Sequence, residues 1–322
     1  MKGWEFTDTH IPLKLVEKPD PVAKPGFVVI EVKAAGLCHS DVAALEDPGW
    51  IGIITAHPMY MGHENAGIIT EIGEGVEGFK VGDRVGIAPI SLKLSAETGR
   101  SWAVGYQIDG GYADKCLVPA DCLVPLPDGV SFMEGAAATD AGMTSYHALY
   151  VAGGAKPGMK IGIIGIGGLG QFAAGMALID GCEIYACDKS PEARKLAAEM
   201  GIQHVYENVM DMAPAKCEVI VDYAGFGQTT ADALEAVNDG GKVVVVGMGI
   251  LESNINTRSL ILKQAQVVGS CGGTPQDIEN VYKYFSTGKL KPQLSTITFD
   301  EIPEGLERLH RGEVKGRLVA VR

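Results

Sequence analysis

Between Ile161 and Gly170 the chain reads Ile-Gly-Ile-Ile-Gly-Ile-Gly-Gly-Leu-Gly, and an alanine-rich segment follows to Ile179. No other stretch limits the architecture so tightly. The short apolar run bounded by glycines reads as a buried strand and the residues after it as a helix. As one apolar run it is nearly long enough to cross a bilayer. Gly162, Gly165, Gly167, Gly168, Gly170 and Gln171 punctuate it, however, which suits strand–turn–helix and not a membrane span. In a G-x-G-x-x-G turn, Gly165 allows the tight bend and Gly167 lets a pyrophosphate approach the backbone. Gly168 and Leu169 complete the loop, and Gly170 lets the helix pack on the strand, its N-terminus adding partial positive charge. Asp188 ends the next strand roughly 20 residues on. An acid there accepts hydrogen bonds from a ribose 2′-hydroxyl and repels a 2′-phosphate, so the loop favours NAD. The adjacent Lys189 leaves NADP as the lesser alternative.

The pattern around this loop predicts the fold class. Strands at Lys160–Gly165, Glu183–Cys187, Glu218–Asp222, Lys242–Gly247 and Val267–Gly269 alternate with helices at Leu169–Ile179, Pro191–Met200 and Thr230–Val237. Such alternation means α/β with a doubly wound parallel sheet. The first third differs. Phe27–Val32, Ala66–Ile72, Gly82–Ile87, Cys116–Pro119 and Cys122–Pro127 are short strands punctuated by Gly and Pro, the signature of a small β-barrel-like domain. Residues 89–110 are polar and weakly patterned, which reads as a surface excursion, and Met133–Val151 is helical. A helix at Gln276–Phe285 and extended segments lead to a final strand, Gly316–Val321, that needs a sheet to join. The expected division is 1–142 with 272–322 as one discontinuous domain and 143–271 as the dinucleotide domain.

Composition narrows the partners. A chain of 322 residues suits two domains. Its net charge of -13 argues against a nucleic-acid or anionic-membrane partner. Seven cysteines at irregular spacing, with no CxxC pair, describe free thiols and not a disulfide framework. No signal pattern opens the sequence, so a cytoplasmic location is the expectation.

Two further motifs carry chemistry. Gly36-Leu37-Cys38-His39-Ser40-Asp41 and Gly62-His63-Glu64 place a thiol, an imidazole and carboxylates at the ends of two predicted strands. Catalytic zinc takes three protein ligands and keeps a fourth position open. Cys38 and His63 are candidate ligands, Asp41 is available to orient the imidazole, and Glu64 stands beside it. With these motifs the chain resembles the zinc-dependent alcohol dehydrogenases of the medium-chain dehydrogenase/reductase superfamily, over essentially its whole length. The likeness rests on G-x-C-x-[ST]-D, G-H-E, the Gly-Asp-x-Val turn (Gly82, Asp83, Val85), the G-x-G-x-x-G loop and the terminal Gly316-Arg317, all in the family's order.

The resemblance implies a GroES-like catalytic domain, a Rossmann domain and an active site in the cleft. It implies Cys38 and His63 as ligands of one catalytic zinc, and Ser40 as the residue that takes the alcohol's proton. The third ligand, often cysteine, falls in Ala136–Thr144, where Asp140 is offered instead; a carboxylate is a recognised zinc ligand and leaves the ligand charge unchanged. His39 and Arg317 are expected near the cofactor pyrophosphate and Thr144 on the nicotinamide side. The partners implied are an alcohol or carbonyl substrate and further copies of the chain, as homodimer or homotetramer. Three departures stand out. Ile87–Gly110 lacks the cysteines of the family's structural zinc. Ala43 occupies the place of a relay histidine. Pro89 aligns with an aromatic pocket wall, while Trp50 would narrow the same cavity. The other six cysteines read as small core residues. The competing reading is a metal-free quinone or enone reductase on the same scaffold.

Overall fold

Strands and turns with short helices among them occupy the chain up to Pro125, and strand alternates with helix from Lys160 onward. The computed structural model describes residues 1–47, 49, 54 and 57–322. These form two units, Met1–Asp140 with Leu294–Arg322, and Ala141–Gln293.

In the first unit β1 (Lys2–Phe6) pairs antiparallel with β2 (Lys14–Glu17). The longest strand, β3 (Phe27–Leu37), runs directly into α1 (His39–Glu46). A two-residue strand, β4 (Met59–Tyr60), closes the other edge of β1, giving a small sheet in the order β2-β1-β4. The sequence reading misses these short strands and α1, because a few residues of mixed polarity carry no measurable period. Next come β5 (Glu64–Ile72) and β6 (Arg84–Ile87), then α2 (Leu92–Thr98), β7 (Lys115–Pro119), β8 (Leu123–Pro125) and α3 (Phe132–Ala137). One edge of β3 pairs with β5 along nearly its whole length, while the other takes β7 at Phe27–Glu31. Val28, Val29, Ile30 and Val32 are fully buried, each contributing about 1.5–3 kcal/mol by leaving water.

Residues 89–110 are more ordered than their polarity suggests. Ser91 caps α2 by accepting from the Leu94 amide, and Asp121 accepts from the Ser91 hydroxyl at 2.7 and 2.8 Å. Trp102 donates its indole N–H to Thr98, and Gln107 accepts from the Ala103 amide.

The second unit begins within a long helical stretch. From Ser131, which caps α3, the helix loosens to π geometry at Ala138–Gly142, tightens as α4 (Met143–Tyr146), and loosens again at His147–Ala152. Then follow β9 (Lys160–Ile164), α5 (Gly170–Ile179), β10 (Glu183–Cys187), α6 (Pro191–Glu199) and β11 (His204–Tyr206). Next are β12 (Val219–Asp222), α7 (Gln228–Ala236), β13 (Lys242–Val245), α8 (Thr257–Lys263), β14 (Gln266–Gly269) and α9 (Pro275–Ser286). The six strands are parallel in the order β11-β10-β9-β12-β13-β14. Counted from β9 this is 3-2-1-4-5-6, the Rossmann order, with its switch point between the first and fourth strands. Val219 and Val221 pack into one apolar layer and Ile220 into the other, so β12 is buried on both faces.

The chain then returns to the first unit as β15 (Leu294–Thr298), α10 (Ile302–His310) and β16 (Arg317–Val321). β16 pairs antiparallel with Ala34–Leu37 of β3, completing a seven-stranded sheet. Two details differ from the sequence reading. Residues 272–293 stay with the second unit, where Leu290 packs against Gly175 and Gln293 exchanges hydrogen bonds with Gln171. Residues 302–310, read as extended, are a helix whose Ile302, Gly305, Leu306 and Leu309 form the buried stripe. No helix among the described residues is long and apolar enough to cross a membrane. Ser91→Ala should cost about 1 kcal/mol of stability, the ordinary value of a helix cap, read by denaturant unfolding.

Candidate active site

Strand register gathers the site. Gly36 lies opposite Glu64 across the β3–β5 pair and Leu37 opposite Leu318 across β3–β16. One step beyond those pairs, Cys38, His63 and Arg317 therefore meet at the same end of the sheet. Glycine is required at Gly36, since a Cβ there would stand 2.2 Å from the Glu64 carboxylate. Asp41, at the third position of α1, turns back to accept from the Cys38 amide at 3.0 Å, holding the strand-to-helix corner. Asp140 arrives from the π turn that follows α3. The wider winding at such a turn projects a side chain off the regular helical face, and π turns recur at functional sites for this reason.

Cys38, His63, Glu64 and Asp140 present a sulfur, a nitrogen and two carboxylate oxygens within 4.8 Å of one another. Asp140 Oδ2 is 3.5 Å from Cys38 Sγ and 3.7 Å from His63 Nε2. Two ligands bound tetrahedrally to one zinc at its usual bond lengths lie about 3.4–3.8 Å apart. The donor types and spacing thus fit that ion. Ser40 is half-buried, its hydroxyl 3.6 Å from the Cys38 sulfur.

His63 is 4% exposed and its ring is held on several sides. Nδ1 faces Asp41 Oδ1 at 3.2 Å, leaving Nε2 toward Asp140, and the Tyr106 ring lies 5.1 Å away centre to centre. Burial disfavours a charged imidazole, but Tyr106, Asp41 and Asp140 outweigh it and hold His63 well above the ordinary histidine range. Arg317, 3% exposed, donates from Nε to Glu64 at 3.1 Å and from Nη2 to Asp140 at 2.9 Å, and Nη2 also contacts the other Glu64 oxygen. Its guanidinium thus faces buried carboxylates beside the metal-binding donors.

The dinucleotide loop belongs to the second unit. Gly165 adopts φ +85°, and a Cβ on Gly170 would stand 1.8 Å from the Gly165 carbonyl. A Cβ on Gly167 would meet no atom of the described residues within 4 Å. Gly168 and Leu169 are half-buried, and the Leu169 carbonyl accepts from the Ser145 hydroxyl at 2.8 Å. That bond ties the loop to α4, on which Thr144 is buried at the preceding position. Asp188 follows β10 and accepts from the Ile166 amide at 2.7 Å and the Ser190 amide at 2.8 Å. It is thus fixed against the loop itself. The exposed Lys189 donates to Asn208.

Other sequence-predicted positions fall less clearly. His39 opens α1 and is exposed. Pro89 is half-exposed and its carbonyl accepts from Val104. Trp50 lies outside the described residues. Sequence reasoning missed Tyr106, Tyr112 and Ser145, polar residues within apolar surroundings whose only local signal is nearby glycine. It also placed Cys271 in the core, whereas this thiol is exposed.

Residues 24–128 match the alcohol dehydrogenase GroES-like domain, and residues 168–287 match the zinc-binding dehydrogenase domain. An alcohol dehydrogenase of Geobacillus stearothermophilus is 34% identical over 342 aligned positions, covering 99% of this chain and 98% of that one. Acetophenone reductase of Geotrichum candidum, solved in complex with NAD, superposes with a TM-score of 0.89 at 29% identity, covering 100% of this chain and 97% of that one. The alcohol dehydrogenase of the archaeon Aeropyrum pernix gives 0.88 at 28% identity, with both chains covered in full (100%). A Rossmann sheet joined in sequence to a GroES-like domain makes this an oxidoreductase scaffold. The chain belongs to the zinc-type alcohol dehydrogenases of the medium-chain dehydrogenase/reductase superfamily.

Burial pushes the Cys116, Cys187 and Cys217 thiols up to about 12 and raises Cys122 and Cys182 as well. A thiol-specific reagent near neutral pH should therefore label Cys271 first. Cys271→Ser should remove the fast phase.

Proposed function

We propose that the protein is an NAD-dependent zinc alcohol dehydrogenase, transferring hydride between an alcohol, or the matching aldehyde or ketone, and NAD(H). The observation that carries this reading is the group of Cys38, His63 and Asp140 donors, with Glu64 beside them, at zinc-ligand spacing. Cys38, His63 and Asp140 would hold a single zinc. When bound, zinc supplies a Lewis acid that favours the deprotonated form of a hydroxyl, and NAD supplies the hydride acceptor.

The chain's own residues do the rest. Asp41 accepts from His63 Nδ1, which would leave Nε2 free to hold the metal. Ser40 takes the hydroxyl proton of the alcohol. With Ala43 in place of a histidine, no imidazole stands at that position to receive the proton from Ser40. Asp188, already anchored to the loop, accepts from the ribose 2′-hydroxyl and repels a 2′-phosphate. The metal-free reductase reading has no use for a buried thiol, imidazole and carboxylate at this spacing.

Two measurements test the proposal. Asp140→Ala should lose bound zinc, with affinity down at least roughly 100-fold; unchanged zinc content would sink the assignment. Dehydrogenase turnover, followed by nicotinamide absorbance across alcohols, aldehydes and ketones, should prefer NAD to NADP. Asp188→Ala should reduce that preference by about 10-fold or more, the value of a charge-assisted hydrogen bond. An enzyme that is active without zinc would restore the competing reading.

A further inference from the structure

Tyr112 enters none of the chemistry above, yet it is completely buried against the residues that carry it. Its segment is laced to the loop bearing His63. The Gly110 amide donates to the Tyr60 carbonyl, the Gly111 amide to Gly62 and the Tyr112 amide to Met61, each at 2.8 Å. The fit is close. A Cβ on Gly62, whose φ is +96°, would stand 2.4 Å from the Tyr112 ring, and one on Gly111 would stand 1.8 Å from the Asn65 side chain. The ring therefore has one available seat, and the seat aims its hydroxyl at Asp41.

That hydroxyl carries one proton and meets two oxygens, Asp41 Oδ2 at 2.7 Å and the Gly36 carbonyl at 3.2 Å. The shorter contact to the charged acceptor takes the proton. Asp41, also fully buried, then has each oxygen committed: Oδ1 to His63 Nδ1, and Oδ2 to the Tyr112 hydroxyl and the Cys38 amide. Burial and the Asp41 carboxylate both raise Tyr112 well above the ordinary phenol range, so it stays a donor.

We propose that Tyr112 is a positioning residue for the metal site, completing a Tyr112–Asp41–His63 chain that fixes the His63 ring and slows loss of the ion. The inference rests on the zinc reading above. Carboxylates that hold a ligand histidine influence metal affinity by 10–100-fold. A tyrosine that holds the carboxylate acts one bond further out, at the low end of that range.

The test uses the zinc-loaded, full-length protein. A chelator in excess draws off the ion, and a colorimetric indicator records the rate of release from wild type, Tyr112→Phe and Tyr60→Phe. Tyr60 is the matched control. It is equally buried, and its hydroxyl donates to the Val16 carbonyl in the small sheet. Both variants remove one hydroxyl from a buried ring; Tyr112→Phe, which gives up a bond to a charged acceptor, should lower the melting temperature more, so release is recorded well below both melting temperatures. Tyr112→Phe should release zinc about 10-fold faster, while Tyr60→Phe releases it at the wild-type rate. Release from Tyr112→Phe at the wild-type rate, or equal acceleration in both variants, overturns the inference and leaves the zinc reading standing. A wild-type protein that retains no zinc overturns both.

Discussion

The first unit depends on the antiparallel register of β3 against β5 and β16. A slip of one residue would turn every side chain of a strand to the opposite face. Here it would also part Cys38 from His63 and bring the wrong residue opposite Glu64. Backbone proximity enforces the register. Gly67 passes so close to β3 that a Cβ would stand 2.1 Å from the Glu31 carbonyl, and Gly36 leaves room only for the Glu64 carboxylate. The same hydrogen bonds that build the sheet thus set the positions of the thiol, the imidazole and the guanidinium.

Charge balance is the second constraint. Two carboxylates, a thiol and an imidazole gather in a nearly dry place, which is unfavourable unless opposite charge accompanies them. Arg317 supplies it, and its planar fork reaches both Glu64 and Asp140. Removing one partner of such a buried group costs about 3–5 kcal/mol, because the remaining charges lose their counterpart. The guanidinium is therefore part of the foundation of the site, and the C-terminal strand cannot be dispensed with.

The second unit solves a different problem with the same economy of backbone. Its parallel sheet is covered on both faces, so its strands are nearly all apolar, and polar groups collect at the strand ends. There Asp188 fastens to the glycine loop and Ser145 fastens that loop to α4. In the first unit, residues 89–110 carry no cysteine, and their order comes from Ser91, Asp121 and Gln107.

Local patterns in the sequence determined a good deal: the parallel α/β unit, the dinucleotide loop with Asp188, the β-rich character of the first third and the pairing of Cys38 with His63. Each signal is carried within a few residues, by glycine spacing or by the period of apolar side chains, and survives in any tertiary context. Elements too short to show a period went unread, among them β1, β2, β4 and α1, and α10 went unread although Ile302, Gly305, Leu306 and Leu309 carry the helical period. The tertiary structure alone decided what depends on residues far apart. It turned Arg317 toward Glu64 and Asp140, 253 and 177 positions away, and set Tyr112 behind Asp41. It gave residues 272–293 to the second unit and left Cys271 at the surface. The physical reason is the same throughout. A side chain's role at the site is set by which charges and surfaces surround it, and strand pairing across the whole chain supplies those neighbours.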